Sequence, residues 1–391
     1  MTKTFTVDRV RRYRAKKLGL LGNGKSLIEI ADNNCGLHAT SFLSPYLSLL
    51  ARGISSPFNL LNTAQLTDRK LVRIRAMRGT SFIVPSMRLP MLLGAYKAKP
   101  RDIKKHFDHW QVDPDSIAQV KNRVLDSLHD QPKTLKELKS CLPDLAEKRV
   151  VGQRAERSTL LGFLLELLQK EGQIFSEKVI AQNMVKNMNR FASIGALYST
   201  AEPAPAEERC LYDLIHWYFE TQGPADFDDL SCWAGINKIT LRKTLSELNL
   251  VEVSVGTNGR NLLLLPETLE EIASFSDELF STVYLLPYED SYLKAHKDHG
   301  ILLSGVPEAA VYERGEARPT ICVDGRIVGM WRFVQHTNEL RIGVEIFDSA
   351  AVDPELLNAA KNQVINFAMA YFPKNIDNFA KGIFTGTEPY A

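Results

Sequence analysis

The chain has 391 residues, 45% hydrophobic, 24% charged and 9% aromatic, which excludes collagen-like, disordered and disulfide-scaffold classes and predicts two to four domains. Its five cysteines, Cys35, Cys141, Cys210, Cys232 and Cys322, are odd in number and form no CxxC pair, the usage of a reduced, cytoplasmic protein. The N-terminus MTKTFTVDRVRRYRAKK has no apolar region of the secretory type, and no stretch approaches the ~20 apolar residues of a membrane helix, so a soluble intracellular protein is expected.

The net charge of +2 hides an asymmetry. Residues 1–112 contain 20 Lys and Arg against 6 Asp and Glu, a balance of +14, and the remainder carries −12. One run is Arg9, Arg11, Arg12, Arg14, Lys16 and Lys17; the other places eleven basic groups against one acid between Arg69 and Lys105. One such run is read as a solvated basic face. Two in one domain, with a compensating acidic remainder, set a nucleic-acid site beside that plainer reading.

In chain order, a basic helix is predicted near Val7–Leu18, then an apolar-periodic helix from about Ser26 through Arg52 and a short one over Asn59–Asp68. LVRIRAMRGTSFIVP reads as strand, turn at Arg78-Gly79, strand. Helix, helix, strand-turn-strand is the order of a winged helix. Residues 115–180 repeat it: SIAQVKNRVLDSLHDQ with Asp115 as N-cap, then a Thr134/Glu137 capping box on LKELKSCL, then ERSTLLGFLLELLQKEG ending at Gly172. STAEPAPAEE is a Pro/Ala linker. The third copy runs through AEERCLYDLIHWYFETQG, the short helix FDDLSCWAG behind Pro224 and Asp226, and KITLRKTLSEL capped by Asn237. Asn258-Gly259 between two β-rich runs is a hairpin signal. The whole is a winged helix-turn-helix, of the DNA-contacting or the protein-binding kind. After Pro266, RPTICVDGRIVGMWRF is a hairpin turning at Asp324-Gly325, and DPELLNAAKNQVINFAMAYF is a long amphipathic helix.

The expected fold class is therefore α+β, with winged-helix domains at 1–113, 114–200 and 201–275 and a C-terminal mixed α/β region at 276–391. Metal and cofactors are not expected. His106-x-x-His109 and His296-x-x-His299 lack a third ligand, Gly22-Asn-Gly-Lys-Ser26 is half a phosphate loop, and no G-x-S-x-G elbow exists.

GLHATSFLSPYLSLLARG followed by LVRIRAMRGTSFIVP resembles the first domain of the AlkZ-type winged-helix DNA glycosylases. YFETQGPADFDDLSCWAGI matches that family's GPA-x-x-x-D-x-x-x-W-x-G pattern, and LLPYEDSYLKAHKDH and RPTICVDGRIVGMWRF resemble its C-terminal signatures, all in order. The resemblance implies three tandem winged helices around a concave basic cleft for duplex DNA, and hydrolysis of the N-glycosidic bond of alkylated or bulky-adduct purines. Where the family positions its water with Gln-x-Gln or Gln-x-Asp, this chain reads His38-Ala39-Thr40; where the family has a histidine after MRGT-Leu, it has Phe82.

Those departures shape the expected chemistry. An N3- or N7-alkylated purine is cationic and leaves readily, so the site must chiefly place a water at the anomeric carbon and stabilise an oxocarbenium-like transition state. Neutral His38 can accept that water's proton, and Thr40 can hydrogen-bond the same water if the helix starts or breaks there, with activity falling at acid pH. The plainer role for His38 is a polar residue lining the first-domain core. Arg12, Arg73, Arg75 and Arg78 are candidate phosphate contacts, and Arg326 a candidate minor-groove probe, against solvated surface arginines. Trp233 and Trp331 are read as core anchors; Asp290 aligns with a family Asp and equally suits a helix cap. The expected protein is a monomeric repair glycosylase on damaged duplex DNA. A catalytically silent DNA binder is the alternative, and an interaction module without nucleic acid a third reading.

Overall fold

Residues 2–21, 24–151, 158–179, 188–198, 205–257, 259–276, 282–336 and 339–371 are described by the computed structural model. They form a mixed α/β fold in two compact units, one holding the chain up to Pro85 and from Leu211 onward, the other Ser86 through Cys210. The helices Leu89–Ala95 and Pro100–Trp110, which lie inside the 1–113 stretch, thus pack with the second unit. Among the described residues no helix is long and apolar enough to cross a membrane.

In the first unit the helix predicted over Ser26–Arg52 is two helices, Leu27–Asn33 and Ser44–Ala51, with the strand Leu37–His38 between them. The break has a backbone cause. Cys35 and Gly36 adopt left-handed φ of 50° and 90°, which no helix continues through. A Cβ on Gly36 would stand 2.7 Å from Val84 Cγ1, so only glycine lets the chain lie this close to the neighbouring strand. Leu37–His38 pairs antiparallel with Ser81–Pro85, which pairs antiparallel with Leu71–Arg75 around the turn at Arg78-Gly79.

A second sheet of this unit joins Val251–Val255 and Arg260–Leu264, and strand Lys3–Phe5 adds to it in parallel. Gly259 in that hairpin has φ 64°; Asn258 lies outside the described residues. Helices Glu207–Gln222, Phe227–Ala234 and Lys238–Leu245 precede it, the second opened by an Asp226/Asp229 capping box and the third capped by Asn237. The last sheet, Val283–Leu286, Thr320–Val323, Arg326–His336 and Glu339–Ile346, is antiparallel throughout and is followed by helix Pro354–Tyr371. The basic helix Val7–Lys17 buries Val10 and Tyr13 with Val253, Leu262 and Leu264, and its Ala15 joins Leu286, Tyr292 and Ile327. It is a core element of two sheets.

In the second unit the expected N-cap Asp115 is displaced by Asp113, whose carboxylate accepts the amides of Asp115 and Ser116 ahead of helix Pro114–Ser127. Pro114 sets that start, since its ring suits the first helical position and its missing N–H needs no partner. The Thr134/Glu137 capping box on Leu135–Cys141 is present in both halves. Helix Leu160–Lys170 buries Leu161, Phe163, Leu164, Leu167 and Leu168 among Val124, Leu138 and Ile174. The sheet Lys133–Thr134, Met188–Ser193, Ile174–Val179 closes that core.

Candidate active site and nucleic-acid face

The backbone break at Cys35-Gly36 delivers His38 on a short strand opposite Phe82, their rings edge to face with centroids 5.0 Å apart. Phe82 therefore packs directly on His38. The His38 side chain is 2% exposed, whereas Thr40, at the bend after the strand, is exposed. The structure thus separates this expected pair by environment. No hydrogen bond reaches either His38 ring nitrogen, and Glu289 Oε2 lies 3.3 Å from Nε2, within ion-pair reach but off the line of a good bond. Burial, reinforced by the positive charges of Arg78, Lys294 and Arg73 against that of Asp290, pushes the imidazole down to about 3. His38 is a neutral ring at any physiological pH.

Glu289 was not singled out from the sequence, although it sits in the LLPYEDSYLKAHKDH block. It is buried, with a left-handed φ of 58°. Its Oε1 accepts the Ala317 amide at 2.6 Å and Lys294 Nζ at 2.9 Å. An acidic dipeptide inside an apolar stretch was the available signal. Next to it, Asp290 caps helix Ser291–Lys294 by accepting the Tyr292 amide and forms a fully buried pair with Arg52. Burial alone would raise this carboxyl; the charge of Arg52 and the hydrogen bonds from Arg52, Ser48 and the Tyr292 amide outweigh it and hold it below the ordinary value. Its role is architectural, as the helix-cap reading anticipated.

The candidate DNA contacts divide. Arg75 is exposed on its strand opposite Ser81. Arg73, two residues earlier, is half-buried and donates to the Ala39 carbonyl at 2.6 Å, burial drawing it down to about 10. Arg78 occupies the left-handed turn position and reaches the Lys294 carbonyl at 3.4 Å. Arg12 is half-buried on its helix. Much of the first basic run is spent on the fold: Arg14 is buried and donates to the Pro224 carbonyl, Arg11 is buried and pairs with Asp8, and Lys17 pairs with Glu271. Arg326, a candidate minor-groove probe at its hairpin turn, is paired with Asp348. The turn is packed, because Tyr292 donates to the Gly325 carbonyl at 2.7 Å and a Cβ on Gly325 would meet Ala15 and Arg11 at 3.1 Å.

Trp233 and Trp331 are buried, the latter donating to the Leu286 carbonyl at 2.8 Å. Of the histidine pairs, His106 stacks on Phe163, His296 Nε2 lies 3.0 Å from the Gln222 carbonyl, and His299 stacks on Tyr312 at 3.7 Å. These are packing roles. Among the described residues no group of three or more His, Cys, Asp or Glu side chains is arranged to hold a metal ion.

The architecture is that of a solved DNA-repair enzyme. Streptomyces sahachiroi DNA glycosylase AlkZ superposes on this chain with a TM-score of 0.70 at 20% identity, over 94% of this chain and 98% of that one. In sequence, the chain is 23% identical over 315 residues to an interstrand DNA cross-link repair glycosylase of the same organism, covering 79% of this chain and 82% of that protein. The family model described as DNA glycosylase AlkZ-like matches residues 32–362. The chain belongs to the AlkZ-like DNA glycosylase family.

Proposed function

We propose that the protein is a duplex-DNA repair glycosylase acting on alkylated or bulky-adduct purines. Its three helix–hairpin modules are read as winged helices near 1–113, 114–200 and 201–275, with 276–391 as an α/β cap. The observation that carries the reading is the family match across residues 32–362, supported by the cross-link repair relative that spans most of the chain. In the reaction, the C1′–N bond breaks with its electron pair going to the cationic base. Water oxygen then bonds to C1′, and its proton passes to neutral His38 and on to solvent. Neither His38 nor Thr40 is a strong acid, so release is confined to self-activated, cationic adducts.

One observation favours a second reading, a catalytically silent DNA binder. Where the resemblance expects two glutamines the chain reads His38-Ala39-Thr40, and His38 is 2% exposed. Base release from alkylated and from bulky-adduct duplex DNA, scored with wild type, His38→Ala and the double variant His38→Gln/Thr40→Gln, separates the two. Wild type is expected to release alkylated purine, and His38→Ala to lower the single-turnover rate about 10²-fold, the low end for removing a general base. Full activity in His38→Ala places the water elsewhere. Release by the double variant alone identifies a silent binder. A profile governed by His38 stays flat from pH 5 to 8, because burial moves its titration to about 3; the acid-side fall expected from an unperturbed imidazole is thereby corrected.

Duplex binding is expected to track exposed cations, Arg75 on the first unit and Arg101, Lys104 and Lys105 on helix Pro100–Trp110 of the second. Each phosphate contact contributes a slope of about −0.9 in log affinity against log salt. Arg75→Ala should weaken binding equally across sequences and reduce that slope by about one contact. An unchanged slope removes Arg75 from the interface.

A further inference from the structure

We infer that Glu289 is the positioning residue for His38: its carboxylate fixes the tautomer and orientation of the ring, leaving Nδ1 as the proton acceptor. This rests on the catalytic reading above for its consequence, but not for its geometry.

The argument starts from His38, a polar ring 2% exposed whose two nitrogens find no hydrogen bond. Buried polar atoms are nearly always satisfied, and exceptions concentrate where a side chain has work besides folding. The nearest charged oxygen is Glu289 Oε2, 3.3 Å from His38 Nε2. Glu289 is itself held unusually. It is buried and takes a left-handed φ of 58°, a conformation that side chains other than glycine and asparagine rarely adopt and that recurs at functional positions. Its amide donates to the Ala317 carbonyl at 3.0 Å, and its Oε1 accepts the Ala317 amide at 2.6 Å and Lys294 Nζ at 2.9 Å. Lys294 also donates to the Gly315 carbonyl. One carboxylate oxygen is thus claimed by the Ala317 amide and paired with Lys294, and the other is the acidic oxygen beside the ring, 3.3 Å from Nε2 though off the line of a hydrogen bond.

That asymmetry decides the tautomer. A carboxylate oxygen only accepts, so the ring presents Nε2–H to it and keeps its lone pair on Nδ1. When Nδ1 takes the proton of the attacking water, the imidazolium that forms lies against the same carboxylate. The other charged groups facing His38 are Arg78, Arg73, Lys294 and Asp290. Three of these four oppose an imidazolium, so the Glu289 carboxylate is the nearest group able to stabilise one.

Glu289→Gln is therefore a sharp substitution. Its carbonyl oxygen stays with Ala317 and Lys294, both donors, so the amide NH₂ turns to His38. An NH₂ only donates, which forces the ring lone pair onto Nε2 and moves the proton to Nδ1. The experiment is nitrogen-resolved NMR of the imidazole in full-length wild type and Glu289→Gln, beside single-turnover base release and duplex affinity. Wild type is expected to carry its proton on Nε2 and Glu289→Gln on Nδ1, with duplex affinity unchanged and release slowed at least 10-fold, and Glu289→Asp partly restoring both. A wild-type ring protonated on Nδ1 overturns the inference without any variant, and so does a Glu289→Gln ring that keeps its proton on Nε2. A reversal of tautomer in a protein that releases no base leaves the positioning role standing and removes only the catalytic reading.

Discussion

Arg52→Ala is expected to lower the unfolding free energy by about 3–5 kcal/mol, the usual cost of leaving one member of a buried ion pair uncompensated. Both side chains of the Arg52–Asp290 pair are 0% exposed. The guanidinium binds the carboxylate through two nitrogens, Nη1 to Oδ2 at 2.9 Å and Nη2 to Oδ1 at 2.8 Å. It also donates to Asn34 Oδ1 and to the Leu18 carbonyl, each at 2.8 Å, and to Ser48 Oγ at 2.7 Å. Removing it leaves a carboxylate in the interior without its counter-charge and takes a donor from Asn34 Oδ1, the Leu18 carbonyl and Ser48 Oγ. The deficit has a pH signature. Asp290 titrates below its unfolded value, so its contribution is complete above the ordinary carboxylate range near pH 3.9 and is lost as pH falls through the folded value. In the variant the carboxyl has no counter-charge and takes up a proton more readily. The difference from wild type should thus be largest at neutral pH and shrink below about pH 4. Denaturant unfolding of wild type and Arg52→Ala at pH 7 and pH 4 measures it; a loss under 1 kcal/mol at pH 7 would mean the pair is not desolvated as described.

The same pair explains why the site is so dependent on distant sequence. Asn34 stands just ahead of the Cys35-Gly36 break that leads into His38, and Asp290 directly follows Glu289. Arg52 ties the two loops together from a third element, the end of helix Ser44–Ala51. Loss of Arg52 is therefore expected to disturb His38 and Glu289 jointly.

How much of this was legible follows from the range over which each feature is decided. The helix start at Asp226, the Thr134/Glu137 capping box and the turns at Arg78-Gly79 and Asp324-Gly325 are set by a few adjacent residues, and the structure has them all. The strand at Leu37–His38 was hidden. Apolar periodicity runs on through Cys35-Gly36, and the helix stops where these two residues turn left-handed, at a glycine packed against Val84, nearly fifty residues away. The basic run Arg9–Lys17 shows the converse failure. Composition cannot distinguish an arginine that faces a phosphate from Arg14, whose guanidinium is buried against the Pro224 carbonyl. The surroundings of Arg326 were hidden for a related reason: a hairpin turn is read as a protrusion unless something packs on it, and here Tyr292, Arg11 and Ala15 do. Position 38 was found through its place in a motif, while its partner Glu289 lies 251 residues further on and is brought beside it only by the fold.

His38 should also make the protein acid-labile in a way that His38→Gln relieves. A histidine whose folded value is depressed is stabilising only while both states keep it neutral, which holds above the unfolded value near 6.5. As pH falls below that, the unfolded chain binds a proton that the buried ring refuses, and stability declines until the folded value of about 3 is reached. At one pKa unit per 1.36 kcal/mol, the loss from His38 alone is roughly 2 kcal/mol at pH 5 and somewhat over 4 near pH 3. His106, His296 and His299 are also shifted down, chiefly by burial, and act in the same direction. These rings, and depressed carboxylates such as Asp290, all contribute to the absolute acid sensitivity, so the informative quantity is the difference between two proteins. His38→Gln places at this position a side chain that never titrates. Whatever the difference at pH 7, the gap between the proteins shifts in favour of His38→Gln as pH falls from 6.5. Parallel unfolding curves at pH 7, 6, 5 and 4 give that gap directly. A gap that stays constant across the series would show that the ring charges freely in the folded state.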